Sequence, residues 1–280
     1  MAYSEVTVTP TTAAKLIAEK WTKKIEQPFF KALYFKDLVT NRDELASGGN
    51  KLNIPFMSTY NARDKVAGTP VVYDAAVETE IELTINKHKY LAFAIEDITK
   101  VQSSYNLQEL YRGAQKEALA RAIDTDLASL HASAGTNVAA GATADDADIL
   151  AVVLALDLAN VPPTERYGIV SAKVMGDLRA VNKYVAYDQT GKTGLAASGG
   201  ANVPSVYGME LYMSNNIVDD ATNTHSLFFH KSAISLALQL KPTYKMEDSV
   251  DVIGVKSVLH TIYGLAVERS AALVDLERAS

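Results

Sequence analysis

The chain has 280 residues, of which 48% are hydrophobic and 21% are charged, and this composition is typical of a folded protein with a substantial core. The absence of cysteine excludes disulfide bonds, zinc–thiolate sites and cysteine nucleophiles. The net charge of -6 argues against long-range attraction to nucleic acid as the main activity. The N-terminal residues show no secretory signal pattern, and the longest apolar run, 149–156, is too short to cross a membrane. We therefore expect an intracellular protein without a membrane partner.

Residues 1–45 are predicted to form an N-terminal arm. Its first part has apolar residues at helical spacing, including Trp21, and Pro28 ends this helix. The following stretch, 29–35, is dense in aromatic residues, and it either fills the core of its own subunit or docks on a neighbouring one. The arm contributes the candidate intersubunit contacts Trp21, Phe29 and Phe30.

Residues 46–89 are predicted to form an extended β-hairpin. The runs 51–56 and 77–86 alternate apolar and polar residues, a pattern typical of strands with one buried face. No strand-like segment lies between them, and an isolated two-stranded ribbon is only marginally stable in water. We therefore expect the apolar face to lack a partner within its own chain and to contact another molecule. The candidate intersubunit contacts on this face are Leu52, Ile54, Phe56, Val77, Ile81, Leu83 and Ile85.

Residues 90–144 are predicted to contain a strand and a long helix. The run 90–95 is expected to be a well-buried strand. Asn106 and Glu109 form a capping-box pattern, and apolar residues continue at helical spacing to about His131. Such a helix is a rod of roughly 37 Å, suited to a structural spine. The small residues of 132–144 predict a flexible connection.

The segment 145–240 alternates helices and strands and is predicted to be an inserted α/β lobe. Its helices are expected at 146–159 and after Ser171, which is placed to cap the second one. The segment 241–280 is expected to form closing strands joined by turns at Gly254 and Gly264.

No motif predicts an active site. Gly191 precedes Lys192 in a sequence that resembles a phosphate loop, but Ala186 occupies the position where such a loop needs its first glycine. None of the histidines has the spacing of a zinc motif, and His225 and His230 are expected on opposite faces of a strand. We therefore predict no catalytic, cofactor-binding or metal-binding residues, and we expect a protein that is not an enzyme.

The order of these parts resembles the major capsid proteins of tailed bacteriophages. The local sequences that carry the resemblance are 51–55 with 77–85, 89–97, 206–214 and 263–269. The resemblance implies an α+β fold with five parts: an N-terminal arm, an extended β-hairpin loop, a peripheral domain with a long spine helix, an axial α/β domain and closing strands of the peripheral domain. The corresponding ranges are 1–45, 46–89, 90–144, 145–240 and 241–280.

The resemblance also implies a function. Subunits would assemble into pentamers and hexamers of an icosahedral phage head, with the hairpin of one subunit lying across its neighbour. The head would enclose double-stranded DNA without sequence specificity, and its assembly in the host cytoplasm would involve a scaffolding protein and a portal. No cofactor is implied. Some relatives join the hairpin to a neighbour by a lysine–asparagine bond, and Lys65 is the lysine placed for this.

Two alternatives remain open at this point. An encapsulin-like nanocompartment shell protein would have the same fold but would enclose enzymes. An α/β ligand-binding protein or enzyme would use the glycine-rich loop 188–204 as a lid.

Overall fold

The computed structural model describes residues 31, 33–43, 48–57, 60, 62–71, 73, 78–102, 107–185, 205–220, 222–251 and 253–279. Several predicted features lie outside these residues, namely Trp21, Phe29, Phe30, Val77, the cap residue Asn106 and the loop 188–204. The helices are α1 (Phe35–Leu38), α2 (Asp97–Gln102), α3 (Leu107–Ala128), α4 (Asp146–Leu158), α5 (Ala172–Ala180) and α6 (Asn182–Val185). The strands are β1 (Thr40–Asn41), β2 (Lys51–Met57), β3 (Glu78–Thr84), β4 (Lys87–Glu96), β5 (Thr136–Ala139), β6 (Arg166–Val170), β7 (Ser205–Val206), β8 (Met209–Met213), β9 (Asn223–His230), β10 (Ile234–Ser249), β11 (Gly254–Val267) and β12 (Leu273–Ala279).

A six-stranded sheet in the order β5-β12-β9-β6-β8-β7 forms the centre of the fold. Its strand β9 is buried from Thr224 to His230, because side chains of both faces are covered. On one face, Phe228 packs in a cluster that includes the buried residues of α4 and α5. On the other face, Phe229 packs with the segment 35–39 and with the C-terminal end of α3.

Local sequence signals explain where α4 and α5 begin. The Asp145 side chain accepts hydrogen bonds from the N–H groups of Ala147 and Asp148, and the Asp148 carboxylate in turn accepts one from the Asp145 N–H, which completes a capping box. The Ser171 hydroxyl accepts a hydrogen bond from the Val174 N–H, as its position predicted. These caps satisfy N–H groups that have no partner inside the helix.

A second sheet has the strand order β1-β10-β11-β4. β1 is parallel to β10, and the other neighbours are antiparallel. Helix α3 has 22 residues, which corresponds to a length of about 33 Å, and it packs against β4 and β11. Its residues Gln115, Leu119, Ile123 and Leu127 are buried at a spacing of four.

Two strand predictions in this region are wrong. β4 is an edge strand with alternating burial, so residues 90–95 are not a fully buried strand, and Tyr90 is 67% exposed. Gly264 lies inside β11 rather than at a turn, because the strand continues through it in register with Ala237 of β10. A glycine is required there because another strand approaches closely, as described below.

The connection 132–144 is more ordered than predicted. Residues Ser129–Ser133 form a 3₁₀ turn, and β5 then pairs in parallel with β12. β12 therefore lies in the same sheet as the strands of the segment 145–240, although it was predicted to belong to the closing strands of 241–280. The predicted boundary at residue 240 falls inside β10. The division into peripheral and axial domains stays a prediction.

Candidate assembly surfaces

The base of the β2–β3 hairpin is packed within its own chain. The two strands pair as predicted, with Leu52 opposite Leu83 and Ile54 opposite Ile81. However, Leu83 is fully buried, and Ile54 and Ile85 are 8% exposed, because they pack against Ala237 of β10 and Ile262 of β11. The prediction that the apolar face lacks a partner in its own chain is therefore wrong for Ile54, Leu83 and Ile85.

The hairpin base can pack here because Gly264 has no side chain. A Cβ atom at Gly264 would lie 2.5 Å from the Thr84 carbonyl oxygen and 2.8 Å from Leu83 Cδ2. Contacts this short are not tolerated between carbon and a backbone oxygen, so the glycine permits the close approach of β3 to β11. A lone glycine inside an apolar strand pattern was the sequence signal for this contact.

Other residues of the apolar face are only partly covered. Leu52, Phe56 and Ile81 are half-buried. The Arg269 guanidinium lies over the Phe56 ring, 5.5 Å from its centre. The role of these three residues in contacts between subunits stays a prediction, and their remaining exposure is compatible with it.

The opposite face of the hairpin is polar and faces solvent. Lys51 Nζ lies 2.8 Å from Glu82 Oε1, and Asn53 Nδ2 donates to Glu80 Oε2 at 3.2 Å. The hydrogen bond from Lys51 lowers the pKa of Glu82, with a further contribution from the Thr84 hydroxyl. These cross-strand pairs fix the register of the two strands while leaving the charges accessible.

The tip of the hairpin is exposed throughout residues 62–71. Lys65 Nζ donates to the Val66 carbonyl at 2.9 Å and also to the Thr69 carbonyl, so it closes a local turn. Large apolar side chains are nevertheless exposed around the tip: Met57 by 82%, Tyr60 by 52%, Val66 by 64%, Val71 by 57% and Tyr73 by 89%. The cross-linking role of Lys65 stays a prediction.

The aromatic stretch of the N-terminal arm, 29–35, is described by the structure at its C-terminal end. Phe35 is fully buried, and its ring stacks on Phe229 with centroids 6.3 Å apart and an interplanar angle of 9°. Phe35 therefore fills the core of its own subunit. The alternatives for Phe29 and Phe30 are not resolved, since both lie outside the described residues.

A second apolar surface lies on α4 and was missed by sequence reasoning. Leu150, Leu154 and Leu158 are 43%, 57% and 74% exposed, and their spacing of four places them on one side of the helix. Ile149, Val152 and Leu156 bury the other side. We call the three exposed residues the leucine stripe. The sequence does contain a signal for this surface, because α4 is apolar on all sides. A helix of this kind is normally buried on all sides.

A polar network holds the first turn of α4. The Asp146 carboxylate accepts hydrogen bonds from the Tyr207 hydroxyl at 2.6 Å, from Lys183 Nζ at 2.9 Å and from the Tyr184 hydroxyl. Burial opposes ionisation of Asp146, but these donors outweigh it and keep its pKa below the usual value. The network joins α4 to α6 and to the β7–β8 turn, so the leucine stripe is presented by a fixed helix.

No helix within the described residues is long and apolar enough to cross a membrane.

Comparison with known proteins gives consistent results. A family model described as phage capsid protein matches residues 78–276. A chain from Mycobacterium phage Che8 is 27% identical, with a TM-score of 0.83 over 93% of this chain and 96% of its own. A chain from the capsid structure of the cyanophage P-SCSP1u is 19% identical, with a TM-score of 0.79 over 99% of this chain and 97% of its own.

A third similar structure is the mature capsid of bacteriophage PhiM1, whose chain is 15% identical, with a TM-score of 0.77 over 94% of this chain and 92% of its own. A comparison with curated protein sequences found no match.

Proposed function

The chain belongs to the phage capsid protein family and has the structural role of a major capsid protein, and we propose that it assembles into the pentamers and hexamers of an icosahedral head. The family match favours this reading over an encapsulin-like nanocompartment shell and over an α/β ligand-binding protein or enzyme. We further propose that the chain is not an enzyme, that the head forms in the host cytoplasm, and that a scaffolding protein and a portal take part.

The observation that carries the proposal is the leucine stripe. Contiguous leucines are rarely left in solvent on a subunit whose core is otherwise well packed, and such patches typically mark contact sites for other proteins. In a shell built from identical subunits, the partner available in highest abundance is another copy of this chain. We therefore propose that the leucine stripe packs against a neighbouring subunit.

The hairpin supplies a second proposed contact. Its base is fixed to β11, so its exposed tip projects from an anchored ribbon rather than from a free one. An anchored ribbon loses little conformational entropy when its tip binds, which favours a repeated contact in a large assembly. We propose that the tip and the half-buried residues Leu52, Phe56 and Ile81 lie against the neighbouring subunit.

The proposed contents of the head are double-stranded DNA. The net charge of -6 does not attract DNA at long range, so any contact with the packaged molecule is local and independent of sequence. Nuclease-protected DNA in purified heads is the expected finding. Packaged protein in place of DNA would support the nanocompartment shell instead.

The leucine stripe is tested by Leu154→Glu. The variant places a charge at the centre of the stripe, and burial of that charge against a neighbour is unfavourable. We expect a subunit that unfolds at the wild-type temperature but forms few or no shells by negative-stain microscopy and light scattering.

Ala172→Glu is the matched control, because Ala172 is exposed at the first position of α5 and an acidic residue is tolerated there. This control is expected to assemble normally. Normal shells from Leu154→Glu would contradict the proposed contact.

A further inference from the structure

Three side chains that are far apart in the sequence meet beside the six-stranded sheet. His131 lies on the 3₁₀ turn that follows α3, His225 lies on β9 and Asp275 lies on β12. In the β9–β12 ladder, Glu277 is opposite His225, so Asp275 is a diagonal neighbour of His225 on the same face. Local histidine spacing does not reveal this group, which is why sequence reasoning missed it.

The donor atoms of the three side chains converge. His225 Nδ1 lies 2.7 Å from Asp275 Oδ2, and His131 Nδ1 lies 3.3 Å from the same oxygen. One ligand atom from each residue can be chosen so that all three lie within 4.8 Å of one another. Four ligands arranged tetrahedrally around zinc at 2.0–2.1 Å are roughly 3.3–3.4 Å apart. The separation of 3.3 Å between His131 Nδ1 and Asp275 Oδ2 already has this value, whereas the separation of 2.7 Å between His225 Nδ1 and Asp275 Oδ2 has to lengthen.

The Asp275 carboxylate has an unfilled bonding capacity. Its side chain is 1% exposed, and its other oxygen, Oδ1, is buried without a hydrogen-bond donor among the described residues. The ion pairs of Asp275 within the described residues are those with the two histidines, and neither is a permanent cation. A buried carboxylate in this state is unfavourable unless a cation compensates its charge.

The position of His225 Nε2 also supports a metal site. His225 Nε2 lies 3.6 Å from Asp220 Oδ2, while Nδ1 faces Asp275. Histidines that bind a metal through one ring nitrogen usually direct the other towards a carboxylate, which orients the ring and increases its basicity. Asp220 occupies that position.

We propose that His131, His225 and Asp275 bind a divalent transition-metal ion, with zinc as the best match. Two imidazole nitrogens together with one carboxylate oxygen form a ligand set that binds zinc better than it binds calcium or magnesium, because those two ions favour sites made of oxygen ligands. The imidazole rings are stacked with centroids 3.9 Å apart, so metal binding requires the part-exposed His131 ring to move away from His225. A water molecule completes the coordination from the exposed side.

The bound ion would join the C-terminal end of α3 to the central sheet. It would therefore act as a cross-link in a chain that has no cysteine. Because an ion that binds only the folded state stabilises it, the effect is measurable on the isolated subunit and does not depend on shell assembly.

The test uses the full-length chain without a histidine tag, treated with EDTA and then dialysed. At pH 7.5, excess ZnCl₂ is expected to raise the thermal unfolding midpoint by several degrees, with one zinc per chain by calorimetric titration, whereas MgCl₂ has no such effect. Cobalt in place of zinc is expected to give the visible absorption of a tetrahedral site. At pH 5 the zinc effect is expected to vanish, because the ligands must be free of protons.

His131→Gln removes one ligand at a part-exposed position and is expected to abolish the zinc shift. Asp220→Asn is a second, milder variant and is expected to weaken zinc binding by about 10–100-fold. The matched control is His88→Gln, which removes a histidine from the other close pair, His88 and His260, whose ring nitrogens are 3.3 Å apart. This control is expected to keep the full zinc shift.

Absence of a zinc shift in the wild-type chain would overturn the proposal and leave a hydrogen-bonded histidine–aspartate stack. An equal shift in wild type and His131→Gln would overturn it as well, since the ion would then bind elsewhere.

Discussion

The hairpin base and the segment 33–43 are both attached to the body of the subunit, but by different interactions. The hairpin base is held by apolar packing of Ile54, Leu83 and Ile85 and by the close approach at Gly264. The segment 33–43 buries Phe35 as well, but it is also held by polar contacts. The Phe35 N–H donates to the carboxyl group of Asp124, and Arg42 forms an ion pair with Glu268. Apolar packing is insensitive to pH, whereas carboxylate contacts are not. The two attachments should therefore respond differently to mutation and to pH.

One polar attachment of the segment 33–43 is the pair formed by Arg42 and Glu268. Arg42 Nε and Nη2 donate to the two Glu268 carboxylate oxygens at 2.6 and 2.9 Å, and the Glu268 side chain is 4% exposed. This two-bond contact raises the pKa of Arg42 and joins the residue after β1 to the residue after β11.

The largest predicted effect is that of Arg42→Ala. It leaves the Glu268 carboxylate buried without its cation, and we expect a loss of about 3–5 kcal/mol in the free energy of unfolding by urea denaturation. The double variant Arg42→Ala/Glu268→Gln should recover much of this loss, because the buried charge is gone. Equal destabilisation in the single and double variants would show that lost packing, rather than the unpaired charge, is responsible.

The apolar attachment is tested by Leu83→Ala. Leu83 is fully buried at the hairpin base, and its truncation is expected to cost about 2–4 kcal/mol of unfolding free energy. The loss should be the same at pH 5 and pH 8. Ile81→Ala is the matched control, two residues outward on the same face and half-buried, and a clearly smaller loss is expected. Equal losses at both positions would mean that the base and the outer part of the hairpin are not distinct.

A pH-dependent attachment is provided by Asp124 of α3. Its Oδ1 accepts a hydrogen bond from the Phe35 N–H at 3.0 Å, and burial raises its pKa from 3.8 to about 6 despite that hydrogen bond and others. A carboxyl group whose pKa is raised in the folded state contributes stability below its unfolded pKa. That contribution is lost as the pH rises through about 6.

Asp124→Asn should remove this dependence while keeping an acceptor for the Phe35 N–H. We expect the stability of the variant relative to wild type to increase by about 1–3 kcal/mol between pH 4 and pH 7.5, as measured by urea denaturation. Leu83→Ala measured in the same buffers is the pH-independent reference. Parallel stability curves for wild type and Asp124→Asn would show that the carboxyl group is not the source of the pH dependence.

The features that were predictable from sequence are those encoded within a short stretch of chain. Alternation showed that residues 51–56 pair with residues near 78–84, and the cap at Ser171 identified the start of α5. The burial of Leu83 was not predictable in this way, because the surface that covers it belongs to β10 and β11, more than a hundred residues later. The convergence of His131 with Asp275 has the same long-range origin.

Sequence reasoning also failed where a local pattern had two readings. Gly264 in an apolar run fits a turn or a close approach of another strand, and only the contact with Thr84 decides between them. The apolar helix α4 was predicted at its observed place, but which of its sides faces solvent depends on the sheet beneath it. The hairpin base was therefore assigned the opposite environment to the one observed, and the leucine stripe was not predicted at all.

The tip of the hairpin should contribute least to the stability of the subunit. Residues 63–70 are exposed, and the hydrogen bonds that Lys65 donates to the Val66 and Thr69 carbonyls lie within the tip. Deletion of residues 63–70 is expected to leave the unfolding midpoint of the isolated subunit unchanged. It is expected to reduce shell formation, or the resistance of shells to heat, because the proposed contact with the neighbour is removed.

A second variant separates the length of the tip from its chemistry. Replacement of residues 63–70 by glycine and serine residues in equal number keeps the reach of the hairpin but removes its side chains. If the tip binds through specific side chains, this variant should assemble as poorly as the deletion. If it assembles like wild type, only the reach of the ribbon matters. Normal shells from both variants would contradict an intermolecular role for the tip, and the contact would then be limited to Leu52, Phe56 and Ile81.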